Sequence, residues 1–477
     1  MKKLLEISGL IALLTLGVAG CAARASVQTG DGSTPTTSVP PSSDVSTSAT
    51  AAPSTTLKVE GVEVAQTSSA PEVTTLPAAP SAESLSWPQW RGPNRDGYVG
   101  GVSAPRVWPK TLKEEWKIPV GVGHSSPLVS DGKIYVFARQ GETETLMCLD
   151  SLTGKELWKS EPHAVAYEMN AAARDHGKGP KSTPVAAGGK IFTLGISGHL
   201  SAHDARTGRL AWRKDFSKQY PTTSPLYGTS MSPVVEKNLL IAHVGGHDRG
   251  ALTAFDTETG AVRWAYEAEG PAYSSPIVVT LAGERQIVTF TQKELVGVAA
   301  ATGKLLWKLP AKSTYDTNSV TPVAYKDTII FSSEGQGIVA VRPFKQGTGF
   351  AAREVWRNAE NELDMNSPVV QGNLLFGMSA RKKGQFFCLD ADTGKTLWQG
   401  PGRAGENAAM LNFAGTLLLL TNDATLFVVP ASAKEYAPVA QYTVANSPTW
   451  AHPVVLSGTR LLVKDETTLA SLAIAEK

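Results

Sequence analysis

An eleven-residue motif returns along this chain: CLDSLTGKELW at 148–158, AHDARTGRLAW at 202–212, AFDTETGAVRW at 254–264, GVAAATGKLLW at 297–307 and CLDADTGKTLW at 388–398. Upstream of the repeats stand small-residue–proline steps followed by β-branched residues: Ser126-Pro127, Thr183-Pro184, Ser232-Pro233, Ser275-Pro276 and Ser367-Pro368. Another strand, such as Lys133-Ile134-Tyr135-Val136-Phe137, lies between the two signatures. The unit is therefore about four short strands in roughly 45 residues, the size of one propeller blade. A blade alone cannot bury its apolar faces, so such units must stack on their neighbours.

Each part of the unit has a physical role. Proline can open an inner strand because a missing N–H is tolerated at the first position. Asp-x-x-Thr-Gly reads as a tight hairpin turn, with Asp accepting local N–H groups and Gly taking a positive φ. The tryptophan that follows is large enough to pack against the next blade. Trp116, Trp158, Trp212, Trp264, Trp307, Trp356 and Trp398 are spaced accordingly, and Tyr442 stands in the corresponding place of a weaker unit. A last unit from His452-Pro453-Val454-Val455 to Leu469-Ala470-Ser471-Leu472 stops before its tryptophan strand. That strand is available at the other end, where Lys113-Glu114-Glu115-Trp116-Lys117 has no inner strands before it. The expectation is an all-β, eight-bladed β-propeller of four-stranded antiparallel blades, its ring closed by the N-terminal strand joining the C-terminal blade. Closure removes the free sheet edges that invite aggregation.

The first 21 residues read as an export signal. Lys2 and Lys3 precede the apolar run Leu10–Val18, which is too short to span a bilayer. Val18-Ala19-Gly20-Cys21 is similar to a bacterial lipobox, which makes Cys21 the expected lipid attachment site. By the same resemblance, Ala22 after the cysteine favours the outer membrane, with the propeller facing the periplasm. Residues 22–85 contain no Phe, Trp or Tyr and are dominated by Ser, Thr, Pro and Ala, so a disordered linker is expected there. The propeller is then 86–477. The 45 basic and 43 acidic residues nearly cancel, which gives no electrostatic case for a nucleic-acid partner. Besides Cys21, Cys148 and Cys388 are expected to be buried small hydrophobes.

The Asp-x-x-Thr-Gly-Lys-x-x-Trp repeat resembles the tryptophan-docking motif of the pyrroloquinoline quinone (PQQ)-binding-like propeller family. The segment Trp87-Pro88-Gln89-Trp90-Arg91-Gly92-Pro93-Asn94-Arg95-Asp96-Gly97 looks like the opening of many bacterial members. Ala299 replaces the turn aspartate, and Lys345-Gln346-Gly347-Thr348-Gly349 departs from the pattern. The resemblance implies one of two branches. Quinoprotein dehydrogenases hold PQQ and a calcium ion over the central channel, use an aspartate as base, and carry an adjacent Cys-Cys disulfide. BamB-like propellers are non-catalytic lipoproteins that present a surface to partners. This chain has no Cys-Cys pair, and its blades are compact. The expectation is therefore a non-catalytic envelope lipoprotein serving as a docking scaffold for protein partners, with no cofactor, no catalytic residue and no metal. A PQQ-dependent dehydrogenase of alcohols or sugars, using PQQ and Ca²⁺, is the alternative. A glycan- or polymer-binding module is another, and it would need aromatic platforms at the channel mouth.

Loops from one blade's outer strand to the next inner strand surround one mouth of the channel, and long loops often carry function. They nominate a funnel of Tyr167, Arg174, His176, Lys181, Tyr227, Tyr273, Asn318, Asn366, Arg403 and Asn407. His243 and His247 belong to a strand followed by a Gly-Gly turn, which separates them and argues against a zinc pair. Asn94-Arg95-Asp96-Gly97 reads as a turn.

Overall fold

The computed structural model describes residues 86–216, 219–220, 226–247 and 249–475. The export signal, Cys21 and the 22–85 segment lie outside the described residues. The described chain is almost wholly β-structure, with short 3₁₀ turns at Ala171–His176 and Arg381–Lys383. Eight antiparallel sheets of four strands each form the blades, and two of the sheets carry one additional short strand. Their inner strands, numbered here as blades 1 to 8, are Leu128–Ser130, Val185–Ala187, Val234–Glu236, Ile277–Leu281, Val323–Tyr325, Val369–Gln371, Ala408–Phe413 and Val454–Leu456. Seven of these strands start directly after a proline, where no ladder donor is needed. Lys113–Pro119 pairs antiparallel with Thr468–Ala473 and supplies the fourth strand of blade 8.

The turn chemistry follows the repeat. Asp150 Oδ1 accepts hydrogen bonds from the backbone N–H of Leu152 and Thr153 and from the Thr153 hydroxyl. Asp204, Asp256 and Asp390 do the same in their own blades. Where Ala299 replaces the aspartate, the backbone bond from Gly303 N to the Ala299 carbonyl keeps the turn. The glycine has a second purpose. A side chain at Gly154, Gly208, Gly260, Gly303 or Gly394 would run into Trp116, Trp158, Trp212, Trp264 or Trp356, respectively, the tryptophan of the preceding blade. Each ring thus lies flat against its neighbour's turn, and the indoles of Trp212, Trp264 and Trp356 donate to the carbonyls of Thr257, Ala300 and Ala391 there. Blade 5 lacks the motif because its outer hairpin is extended, with ten-residue strands Gly337–Gln346 and Gly349–Asn358. Trp307, facing it, donates instead to Gln286 Oε1 within its own blade. Tyr442 takes the tryptophan position in blade 7 and donates to the Pro109 carbonyl at 2.6 Å. Cys148 and Cys388 are buried and free, in blades 1 and 6.

Candidate functional site

The residues that lead into the inner strands meet at one end of the channel and form a hydrogen-bonded collar. Each backbone N–H at the residue before the proline donates to the hydroxyl of the equivalent residue in the next blade. His452 N donates to Ser126 Oγ (2.8 Å), Ser126 N to Thr183 Oγ1 (3.0 Å) and Thr183 N to Ser232 Oγ (2.9 Å). Ser232 N then donates to Ser275 Oγ (2.9 Å), Ser275 N to Thr321 Oγ1 (3.0 Å) and Thr321 N to Ser367 Oγ (3.0 Å). Blade 7, whose inner strand begins without a proline at Ala408, interrupts the series. The collar fixes the spacing of the mouth, each bond contributing on the order of 1 kcal/mol.

Below the collar the channel is filled by the chain's own segment 87–99. Trp87 exchanges backbone hydrogen bonds with Val129, Ala186 N donates to the Pro88 carbonyl, and Tyr98–Val99 pairs parallel with Asn412–Phe413. These partners lie on the free edges of the inner strands of blades 1, 2 and 7, the edges that face the axis. Two arginines finish the plug. Arg91 donates to the Pro368 carbonyl, and Arg95 donates to the carbonyls of Pro233 (2.9 Å) and Ser232 (2.8 Å). Both guanidinium groups are buried, which pulls Arg91 down to about 10 and Arg95 to about 9. They remain charged at neutral pH and are held by carbonyl dipoles. Read as a simple turn from sequence, Asn94-Arg95-Asp96-Gly97 is indeed a turn, but one whose arginine reaches blade 3.

Between collar and plug, a cup of about 360 Å³ opens at the mouth, within the range of small-ligand sites. Trp90 of the plug lines it, with the Arg91 and Arg95 guanidinium carbons 5.6 and 5.9 Å from its ring centroid. The lead-ins of blades 8, 1, 2, 3 and 4 supply an unbroken aromatic arc. Trp450 stands edge-on to His124 (5.7 Å) and His176 (5.0 Å), His176 to Tyr227 (5.3 Å), and Tyr227 to Tyr273 (5.8 Å). Such edge-to-face contacts suit the ring quadrupoles. The Tyr273 hydroxyl accepts from Tyr227 N (3.1 Å), and His124 Nε2 donates to the His176 carbonyl (2.9 Å). The lead-ins of blades 5, 6 and 7 are polar by contrast, supplying Thr317, Ser319, Asp364 and Asn407. Tyr315 and Met365, both exposed, stand at this side of the lip.

The electrostatics are muted. Burial holds His124 and His452 down at about 3, so both are neutral, and it lowers His176 as well. Lys181 is drawn down to about 8 by burial, opposed by the Glu144 carboxylate, and remains mostly protonated at pH 7. Its ammonium donates to the Gly177 carbonyl at 3.1 Å. Among the described residues no carboxylate is within ion-pair distance of it. Among the described residues Asp364 is the one carboxylate of the lining, and desolvation raises it, with Glu334 and Glu362 adding to the effect.

Of the funnel residues nominated from sequence, His176, Lys181, Tyr227, Tyr273 and Asn407 line this cup. Tyr167 is half-buried beside Gly228, next to Tyr227. Arg174 and Arg403 are exposed and outside the lining. Asn318 and Asn366 are buried and turned to structural work. Asn318 donates to the Gln292 carbonyl and accepts from Ser333, while Asn366 bonds both the N–H and the carbonyl of Met378. The nomination missed Trp90, Trp450 and His452, and it missed the collar hydroxyls of Ser126, Ser232 and Ser275. A signal existed for the last four, since each occupies the position before the repeated proline.

The calcium and paired cysteines implied by the dehydrogenase branch do not fit these residues. The cup's lining offers one carboxylate, Asp364, with one ammonium, Lys181, and among the described residues no group of three or more His, Cys, Asp or Glu is placed to hold a metal ion. Cys148 and Cys388 sit in different blades, inside the sheets. His243 is a buried strand residue bonded to the Glu269 carbonyl.

Comparison with known proteins agrees with this architecture. The chain is 25% identical over 343 residues to a subunit named alcohol dehydrogenase (quinone), dehydrogenase subunit, from Gluconacetobacter polyoxogenes, covering 64% of this chain and 43% of that subunit. It therefore spans less than half the length of that relative. It is 27% identical over 254 residues to outer membrane protein assembly factor BamB of Shewanella oneidensis, covering 50% of this chain and 61% of that protein. Among solved structures, BamB from Moraxella catarrhalis superposes with a TM-score of 0.54 at 14% identity, over 77% of this chain and 99% of that one. Quinohemoprotein alcohol dehydrogenase from Comamonas testosteroni gives 0.61 at 14% identity, over 82% and 81%. These two likenesses establish the shared propeller fold. A family profile described as outer membrane protein assembly factor BamB matches residues 142–400, more than half of the sequence, and the chain belongs to that family of PQQ-type propellers.

Proposed function

We propose that this chain is a non-catalytic binding propeller of the cell envelope, which holds an envelope component at the cup in its channel mouth. One observation carries the reading: the cup has Trp90 of the plug in its lining, aromatic rings along the side of blades 8 to 4, and a single raised carboxylate among its described lining residues. The relatives named as assembly factors support an envelope setting. In this reading Cys21 carries a lipid that anchors the protein to the outer membrane, and the propeller faces the periplasm.

The test uses the full-length protein. Titration with PQQ and Ca²⁺ by calorimetry, with a dye-reduction assay over alcohols and sugars, is expected to give neither binding nor turnover. In parallel, a photoreactive residue at Met365, on the lip, is expected to crosslink an envelope component in cells, and Tyr227→Ala is expected to abolish that crosslink. Calcium-dependent PQQ binding with dye reduction would overturn the reading in favour of a dehydrogenase, as the quinone-dependent relatives suggest.

A further inference from the structure

We infer that the ligand of the cup is a sugar ring bearing a single carboxylate, an acidic sugar. The inference deepens the reading of the cup as a binding site and rests on it. Three features of the lining converge. The arc of blades 8 to 4 presents Trp450, His176, Tyr227 and Tyr273, and Trp90 lies on the floor; such rings accept the C–H face of a pyranose. The rest of the lining is rich in hydroxyls: Ser126, Ser232 and Ser275 each accept one collar bond and keep an O–H to donate, the Ser319 hydroxyl donates to the Asp364 carbonyl and keeps an acceptor, and Ser230 and Thr317 complete the set. A flat, purely aromatic ligand would strip water from these groups without replacing its hydrogen bonds, a costly exchange, whereas a polyol returns them. Asn407 makes the same demand, because its buried amide oxygen has no partner and calls for a donor.

Charge then narrows the class. Among the described residues Lys181 is the one cation of the lining, mostly protonated at pH 7, and its one intramolecular bond leaves two ammonium protons for a guest. The histidines beside it are held neutral, so they donate or accept as neutral imidazoles and add no positive charge. A dianionic phosphate or a tricarboxylate would face one ammonium and the Asp364 carboxyl together. One carboxylate matches one ammonium, and Asp364 is left to accept a hydroxyl on the polar side. The cup volume of about 360 Å³ suits one or two sugar rings.

The experiment is saturation-transfer NMR and calorimetry on the full-length protein with glucuronate, galacturonate and N-acetylmuramate as probes, against glucose and methyl glucuronate. Acidic sugars are expected to bind at least about tenfold more tightly than their neutral counterparts. Lys181→Met is expected to remove that preference while weaker sugar binding persists, and Tyr227→Ala to remove both. Equal binding of glucuronate and its methyl ester, or Lys181→Met without effect, would overturn the inference. Should acidic sugars fail to bind while a protein crosslinks at Met365 in a Tyr227-dependent way, this inference falls and the binding reading stands. Absence of both sinks the two together.

Discussion

Replacing Glu144 with glutamine should make the protein more stable at pH 8 and leave it unchanged at pH 4.5. Glu144 lies in the strand Thr143–Asp150 of blade 1, 4% exposed, against blade 2. Its Oε1 accepts from the Ile196 N–H at 2.9 Å, and Arg213 and His163 line the same narrow cleft. Burial lifts its carboxyl from 4.5 to about 7, opposed by the Ile196 bond and by Arg139, Arg213 and Lys181. A carboxyl raised on folding favours the protonated form. Its contribution is therefore fully present below pH 4.5 and is lost as pH rises through 7. At about 1.4 kcal/mol for each pH decade, the ionised residue costs about 3 kcal/mol at pH 8. Glutamine keeps an acceptor for Ile196 and cannot ionise. Urea unfolding of both proteins between pH 4.5 and 8.5 reads the difference. The variant should gain between pH 4.5 and about 7 and then level off near about 3 kcal/mol, a midpoint shift of up to about 1 M at the slope expected for a domain of this size. A stability difference that stays constant with pH would refute the assignment of a buried, proton-holding Glu144.

Other consequences are open to measurement. Trp356→Ala should cost about 3–5 kcal/mol, and Gly394→Ala about 1–2 kcal/mol or more, because a Cβ there meets the same ring at a φ of 72°; since both break one contact, a double-mutant cycle in denaturant should show non-additivity. Ser232→Ala removes the acceptor of the Thr183 N–H, and should cost about 1–3 kcal/mol with faster hydrogen exchange at that amide. Asn366→Ala should lower the melting temperature by unpairing both backbone groups of Met378, yet leave ligand binding at the cup unchanged once folded, as calorimetry below the transition would show.

The ring was legible because its rules are local. Asp, Thr and Gly at fixed offsets dictate a turn, proline dictates a strand start, and a regularly spaced tryptophan must be covered by something. The site was legible only in part. His176 and Tyr227 could be nominated because they stand in long loops, but the remaining connections at the mouth also nominated Asn318 and Asn366, whose amides satisfy backbone groups nearby. Sequence distance from an inner strand places a residue at the mouth; it does not say whether the side chain turns up into the cup or down into the loop. Trp90 was hidden for a different reason. It stands in no blade lead-in and reaches the cup because segment 87–99 enters the axis, a placement set by pairing with strands up to Asn412–Phe413. The collar is half visible in sequence: the proline marks a strand start by its missing N–H, while the hydroxyl before it acts in the adjacent blade.

The plug has a consequence for the order in which the molecule can be completed. Its residues are synthesised before any blade, yet their partners are Val129, Ala186, Pro233, Pro368 and Asn412. The blade 8 strand at Lys113–Pro119 likewise waits for Thr468–Ala473. This N-terminal segment of the propeller is therefore among the last to find its place, and contacts of such long sequence separation slow folding. A chain arrested anywhere short of blade 7 would hold a half-built ring around an unthreaded axle, with strand edges exposed to any other chain nearby. Removing residues 87–99 should accordingly alter the yield of the refolded protein more than the geometry of any single blade.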